Sequence, residues 1–440
     1  MSKTFCSYPW RHIYVATTGH LKLCCTSNEH VVKDDGYKHF NLGKDSLEDG
    51  WNSQYMRTVR QKMLNGEALP SCSKCYDLES RGLQSMRDPS NFETYKNTTI
   101  DGQVKNFAKH IELHFGNVCN LACKMCSQQY SHKIGQELID MSKDEPGLST
   151  WLKQQGGVVN NWTAELGIVY DWFKQPNTKK QIFEYVSDHI STMNIVGGEP
   201  TAIKEFYELL EFCHDRGTLK NKSIMLITNC TNTNSNLTKW LKEVKSFTIY
   251  ASIDGIGSRN EYIRHPSKWQ NLEKSLYFYK DLIRSNNSCK LVFGPTFQTL
   301  NIDHLVDMIE YFENFDKQTN IKSDIWWSSV VTGPRICDYT VLPDSYKQIV
   351  ANDLEKKLSR LSHQHSIDQI KSHITSLRQT NDKTLEHKVE ILKSFIKYND
   401  KQDTFRKLQI GWRKLLPTLA NEIEKYLKST DGNNYFTPQV

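Results

Sequence analysis

No stretch of the 440-residue chain is apolar for long enough to span a bilayer, and the opening Met1-Ser2-Lys3-Thr4-Phe5-Cys6 lacks the apolar run of a secretion signal. The cytoplasm is the expected compartment, and a membrane is not an expected partner. Charge of one sign is also scarce. The net +6 is dispersed through mixed-sign segments, so a concentrated nucleic-acid footprint is absent and nucleic acid is not expected as a partner. With 38% hydrophobic and 24% charged residues, the composition is that of an ordinary globular protein of two or three domains. What the chain has in quantity is cysteine. Twelve thiols in a reducing compartment point to metal ligation rather than disulfides.

Three of them stand close together, at Cys119, Cys123 and Cys126, directly after a strand-like segment that begins near Ile111. Three thiolates can ligate three corners of a cubane iron-sulfur cluster, one fewer than full capping requires, which leaves an iron open for chemistry. A structural zinc site would want a fourth ligand. Downstream, Met193-Asn194-Ile195-Val196 runs into Gly197-Gly198-Glu199-Pro200. Glycines there let backbone approach a ligand closely, and a carboxylate at a strand edge can accept hydrogen bonds from an ammonium group.

A CxxxCxxC loop followed by one crossover and then Gly-Gly-Glu-Pro resembles the radical S-adenosylmethionine (SAM) superfamily. The resemblance implies a 4Fe-4S cluster on Cys119, Cys123 and Cys126 whose open iron chelates SAM. It also implies that the Gly197 to Pro200 segment holds the SAM amino group, and that a 5′-deoxyadenosyl radical abstracts hydrogen from the substrate. The aromatic residue usual before the third cysteine is Met125 here, which keeps an apolar contact to adenine but not stacking. Ser252-Ile253-Asp254-Gly255 followed by Arg264 resembles the SAM-binding strand of the same enzymes, with serine and arginine reaching the ribose and carboxylate. Arg264 is suited to bidentate carboxylate contact, and pairing with Asp254 or Glu261 is its alternative. Thr228 and Asn229 end another strand at the same mouth.

The first hundred residues carry a second set of thiols. Cys6, Gly19, Cys24-Cys25 and Cys72-Ser73-Lys74-Cys75 place two ligands for a hairpin to bring together and then a tight pair. A helical run from Trp51 to Leu64 precedes the pair and is ended by Gly66 and Pro70. The segment is similar to the SPASM/twitch auxiliary-cluster module of radical SAM enzymes, which implies one auxiliary 4Fe-4S cluster on Cys6, Cys24, Cys72 and Cys75, with Cys25 a substitute or bystander. Here the module precedes the radical domain, whereas in most relatives it follows, and the cysteines for a second auxiliary cluster are missing. A four-cysteine zinc ribbon remains the alternative on spacing.

The remainder alternates. Strands at Ile111–Val118, Met193–Val196, Ser223–Thr228, Phe247–Asp254, Lys290–Gln298 and Ile325–Val331, each followed by a helix, predict an α/β fold: a partial (β/α)6 TIM-like barrel with a parallel sheet. Thr248, Tyr250, Ser252 and Asp254 share one strand face, and Thr296 and Gln298 repeat the pattern, so one face of the sheet should line a polar cavity. Apolar stripes through Tyr346 to Leu361, Leu385 to Ile396 and Phe405 to Leu415 predict a helical C-terminal region. The expected division is an auxiliary-cluster module at 1–80, a linker at 81–108, and the barrel at 109–335. The barrel carries an insertion at about 131–185 with Trp151, Trp162 and Trp172, read as packing or a lid, and helices at 336–440 complete the chain.

The expected activity is that of a radical SAM oxidoreductase acting on a peptide or protein. An enzyme that dehydrogenates or rearranges a sugar or nucleotide is the alternative, and a zinc-stapled binding protein is the non-enzyme alternative. The expected partners are a peptide or small-molecule substrate and a low-potential electron donor such as a flavodoxin or ferredoxin. Cys230 and Cys337, each past a strand end, are either hydrogen-atom donors or buried free thiols.

Overall fold

The structure, a computed structural model, describes residues 4–27, 29–80, 85–88, 95–96, 98–145, 167–285, 288–327, 330–331, 333–379 and 384–431. The middle of the expected insertion, residues 146–166 with Trp151 and Trp162, lies outside them.

Eight strands form one sheet: β1 (His12–Val15), β2 (Leu21–Lys22), β3 (His110–His114), β4 (Thr192–Val196), β5 (Ser223–Thr228), β6 (Ser246–Ala251), β7 (Cys289–Phe293) and β8 (Asp324–Ile325). Their order is β2-β1-β3-β4-β5-β6-β7-β8, an unclosed sheet in keeping with a partial barrel. The pairs β3 with β4, β4 with β5, and β7 with β8 are parallel. The hairpin expected between Gly19 and Cys24 is present as β1 paired antiparallel with β2, Tyr14 opposite Lys22. Its first strand also pairs in parallel with β3, His12 opposite His110, so the N-terminal segment extends the barrel sheet.

Helices follow the strands: α1 (Gln54–Leu64), α2 (His132–Asp144), α3 (Pro176–His189), α4 (Lys204–Asp215), α5 (Ser235–Leu241), α6 (Trp269–Arg284), α7 (Leu305–Thr319), α8 (Asp344–Lys357), α9 (Gln364–Arg378), α10 (Leu385–Phe405) and α11 (Pro417–Asp431). Among the described residues no helix is long and apolar enough to cross a membrane.

The strands alternate in burial. On β4, β5 and β6 every second residue is fully buried while its neighbours are half-buried. This is the two-faced sheet that the pattern at Thr248 and Tyr250 predicts. Four strands are shorter than expected: β3 stops at His114, β6 at Ala251, β7 at Phe293 and β8 at Ile325. Beyond β6 and β7, side chains take over from the ladder. The Asp254 carboxylate accepts from Thr296 N at 2.6 Å, and the Asn301 amide donates to the carbonyls of both Asp254 and Thr296. The C-terminal stripes also differ from expectation. Leu385 is 56% exposed, and the helix breaks after Phe405, with Lys407 at a φ of 51° before a short turn at Trp412–Leu415.

The described residues fall into two compact units. The first comprises Met1–Asn120, Val169–Tyr250 and Asp281–Lys290, and the second Leu121–Ile168, Ala251–Lys280 and Leu291–Val440. In the first, Ile111, Met193, Ile195, Leu226 and Ile249 form a dry core together with Phe206, Leu209 and Leu210 of α4. In the second, Phe293 stacks on Phe312 of α7 at 3.9 Å.

Candidate functional site

In the first unit, the Gly-Gly-Glu-Pro segment is folded against the backbone that leads into Cys119. Gly198 N donates to Gly116 O (3.1 Å), and Glu199 N donates to Val118 O (2.8 Å). A methyl group at Gly198 would stand 2.0 Å from Val118 O, and Gly197 has a φ of 127°, so both glycines are dictated by backbone contact. Pro200 opens the short 3-10 turn that follows.

Glu199 is 1% exposed, and its carboxylate accepts from Thr201 N, Thr201 Oγ1, Thr228 Oγ1 and Asn229 N at 2.6 to 3.1 Å. Burial pushes its carboxyl up, against the pull of these four donors. The geometry therefore gives it a tie between the turn and the end of β5. Asn229 in turn donates to Asn120 Oδ1 (2.8 Å), the residue after Cys119, and Asn120 donates to Thr231 (2.7 Å). Asn120, Thr201 and Thr231 are defining residues of none of the motifs above. Their signal is their position, within two residues of a cysteine ligand, of Glu199 and of Asn229.

In the second unit, Cys123 is buried, while Met125 and Cys126 are half-buried. Arg264 donates towards Cys123 Sγ at 4.0 Å, and its Nε makes an ion pair with Asp254 Oδ2 at 2.7 Å. The carboxylate alternative for Arg264 is thus realised at Asp254, while Glu261 accepts from Trp269 N instead. Burial raises the Cys123 thiol, and Arg264 and Arg406 pull it back down. Lys124, inside the loop, is buried against Asp403 at 2.9 Å, and burial lowers its pKa to about 8. Ser252 is half-buried at the end of β6. Gln298, on the predicted polar face, is fully buried, and neither side-chain atom of its amide has a partner. Buried amides are normally satisfied, so the deficit beside Asp254 and Thr296 matches a polar ligand such as SAM.

The four N-terminal thiols converge. Cys24 and Cys75 both raise Cys6, while Cys24, Cys6 and Cys75 all raise Cys72, which burial pushes up to about 12. Thr26 Oγ1 lies 3.2 Å from Cys24 Sγ and 3.8 Å from Cys75 Sγ. Cys25 is raised first by burial and then by Glu112 and Cys24, with Lys22 pulling the other way. Among the described residues no three His, Cys, Asp or Glu side chains form a group that could hold a single metal ion. A cubane spreads its ligand sulfurs over its four corners, and four converging, unpaired thiols are the donor set it takes.

The other expected residues are placed plainly. Cys230 is buried at a φ of 57°, with its Sγ turned to Thr228 O at 3.8 Å. Cys337 is buried, and burial pushes its thiol up to about 12. Trp172 packs on Gly19 and donates to Thr17 O (3.0 Å), as a core residue does.

Residues 6–76 match the family model for SPASM, an iron-sulfur cluster-binding domain, and residues 113–312 match that of the radical SAM superfamily. No curated protein matches the chain. Among solved structures, SuiB of Streptococcus suis bound to S-adenosylmethionine is similar at 15% identity and a TM-score of 0.33, over 73% of this chain and 63% of that one. SuiB bound to its precursor peptide SuiA gives 13% identity and a TM-score of 0.29, over 70% and 60%. Native anSMEcpe with bound AdoMet and the Cp18Cys peptide gives 16% and 0.31, over 57% and 59%. The chain thus spans less than two thirds of the length of these proteins. With both family matches falling on the two thiol sets, the chain carries a radical SAM domain, which implies SAM and a 4Fe-4S cluster as cofactors, and ahead of it a SPASM domain, which implies auxiliary iron-sulfur ligation.

Proposed function

We propose that this enzyme is an oxidoreductase that removes hydrogen from a peptide or protein substrate. In the bound state the SAM cluster supplies reductive cleavage of SAM and hence a radical able to attack an unactivated carbon. The chain's own residues hold and shield that chemistry. Cys119, Cys123 and Cys126 ligate the cluster and leave one corner open. Gly197, Gly198, Glu199 and Pro200 shape the backbone beside Cys119, and Asn229 ties it down. Met125, Ser252, Asp254 and Arg264 receive the adenosyl and amino-acid parts of SAM, with Arg264 kept charged by Asp254.

The observation that carries the oxidative reading is the convergence of Cys6, Cys24, Cys72 and Cys75, four ligands that leave no corner open. A fully ligated cluster suits electron transfer, which makes the net reaction an oxidation. The peptide class is supported by the SPASM domain, whose bearers are mostly peptide and protein modifiers. The reading includes a low-potential electron donor of the flavodoxin or ferredoxin kind. It assigns residues 1–80 to the auxiliary module, 81–108 to a linker, 109–335 to the barrel with its insertion at about 131–185, and 336–440 to a helical region.

The test replaces Cys72 and Cys75 with Ala in the anaerobically reconstituted protein. Uncoupled formation of 5′-deoxyadenosine should persist while oxidised product disappears, and oxidised product at the wild-type level would overturn the assignment.

A further inference from the structure

The family match ends at residue 312, yet the helical region beyond it is bonded to the cluster loop within the second unit. Lys124, between Cys123 and Met125, is 1% exposed, with its ammonium 2.9 Å from Asp403 Oδ1 and 4.3 Å over the Tyr262 ring. The Tyr262 hydroxyl donates to the same carboxylate at 2.8 Å, whose other oxygen accepts from Trp412 N at 2.8 Å. One residue beyond α10, Arg406 donates to Ala122 O at 2.6 Å and forks onto Glu137 of α2 at 2.8 to 3.2 Å. Its side chain is 1% exposed.

Iron ligation requires none of these groups. A buried ammonium without a partner is strongly destabilising, so Lys124 is tolerated only while Asp403 is in place. A positive charge close to a cluster also favours its more negative, reduced form, and Lys124 follows the ligand Cys123 directly in the chain.

We propose that the end of α10 is a clamp on the cluster loop, in which Asp403 and Arg406 are positioning residues and Lys124 supplies a charge that raises the cluster's reduction potential. The second half rests on the function proposed above, and the first does not.

The test uses the full chain in two states. In the iron-free protein, amide hydrogen exchange of the 121–127 segment should quicken about tenfold or more in Asp403→Asn, as expected for a broken buried pair. Arg378→Ala, which removes an exposed ion pair with Glu355 in the same helical region, should leave that exchange unchanged. In the reconstituted protein, Lys124→Gln should lower the reduced-to-oxidised ratio of the SAM cluster about tenfold at fixed potential, about 59 mV for one electron. Lys124→Arg should restore it.

Unchanged exchange in Asp403→Asn overturns the clamp, and an unchanged midpoint in Lys124→Gln overturns the charge role. If Asp403→Asn does not fold, Arg406→Lys gives the same exchange readout, because it keeps the charge and loses the fork. A wild-type cluster whose electron paramagnetic resonance signal ignores SAM would overturn the proposed function, with the exchange comparison still deciding the clamp.

Discussion

The two thiol sets differ in what surrounds them. At Cys6 the forces opposing burial are backbone N–H groups of Tyr8 and Asp88, and at Cys72 the Tyr76 hydroxyl; the other thiols of the set add repulsion. At Cys123 the opposing forces are cations, Arg264 first and then Arg406. The N-terminal set is therefore a site that metal organises, since thiols crowded together and desolvated become thiolates only by paying a cost that iron binding offsets. The Cys123 turn is held by cations of the protein itself, Arg264 and Arg406. A cluster that must bind a further ligand at an open corner gains from such preorganisation, whereas a closed one does not.

The largest effect follows from exchanging the two sites' roles. Cys123→Ala should abolish 5′-deoxyadenosine formation while the reconstituted protein keeps the iron and sulfide of one cluster. Cys75→Ala should likewise lose one cluster's iron but keep that cleavage. The two sites would count as equivalent if both variants lost cleavage alike.

A smaller effect separates them by backbone. Gly198→Ala places a methyl group 2.0 Å from Val118 O and so shifts the segment leading into Cys119. A misplacement of this kind near a reacting centre costs on the order of a hundredfold in rate, so SAM cleavage should fall by about that factor. Auxiliary iron, assayed by spectroscopy, should remain; its joint loss would mean that the whole first unit had been disturbed.

The two thiol sets, which fall within the two family matches, were legible because their signals are short and local. Cysteine spacing, paired glycines before Glu199, and the polar alternation from Thr248 to Asp254 need only a few neighbouring residues. The hairpin at Gly19 and helix α6 were legible for the same reason. What was not legible depends on long-range pairing. Nothing near His12 announces its parallel partner His110, and nothing near Lys124 announces Asp403, almost three hundred residues away. Strand ends were misplaced where a side chain such as Asp254 substitutes for the ladder, because an extended polar segment has the same pattern whether or not its backbone is paired. The four donors that meet the Glu199 carboxylate, two of them at the end of β5, are likewise a long-range arrangement that the Gly-Gly-Glu-Pro segment does not announce.

The smallest effect is on acid stability, and it contrasts the SPASM domain with the helical region. His373, on α9, is held neutral by burial with a pKa of about 4, its ring 4.5 Å from that of Phe297. His30 also sits at about 4, through burial first and then the nearby His20 and His39. Both values lie below the unfolded 6.5, so the unfolded chain binds more protons. The stability these groups confer is complete above about pH 6.5 and is lost as pH falls towards 4. At His373 the loss is up to about 3 kcal/mol, from a depression of roughly 2.5 pH units. His20 and His30 lie 5.0 Å apart, are both lowered by burial first, and repel one another when charged, so their protonation should spread over a wider pH range. Denaturant unfolding of the iron-free protein between pH 7 and 4.5 measures both. His373→Gln should flatten the pH slope for the helical region alone, and a slope unaltered by this change would place the acid-sensitive group elsewhere.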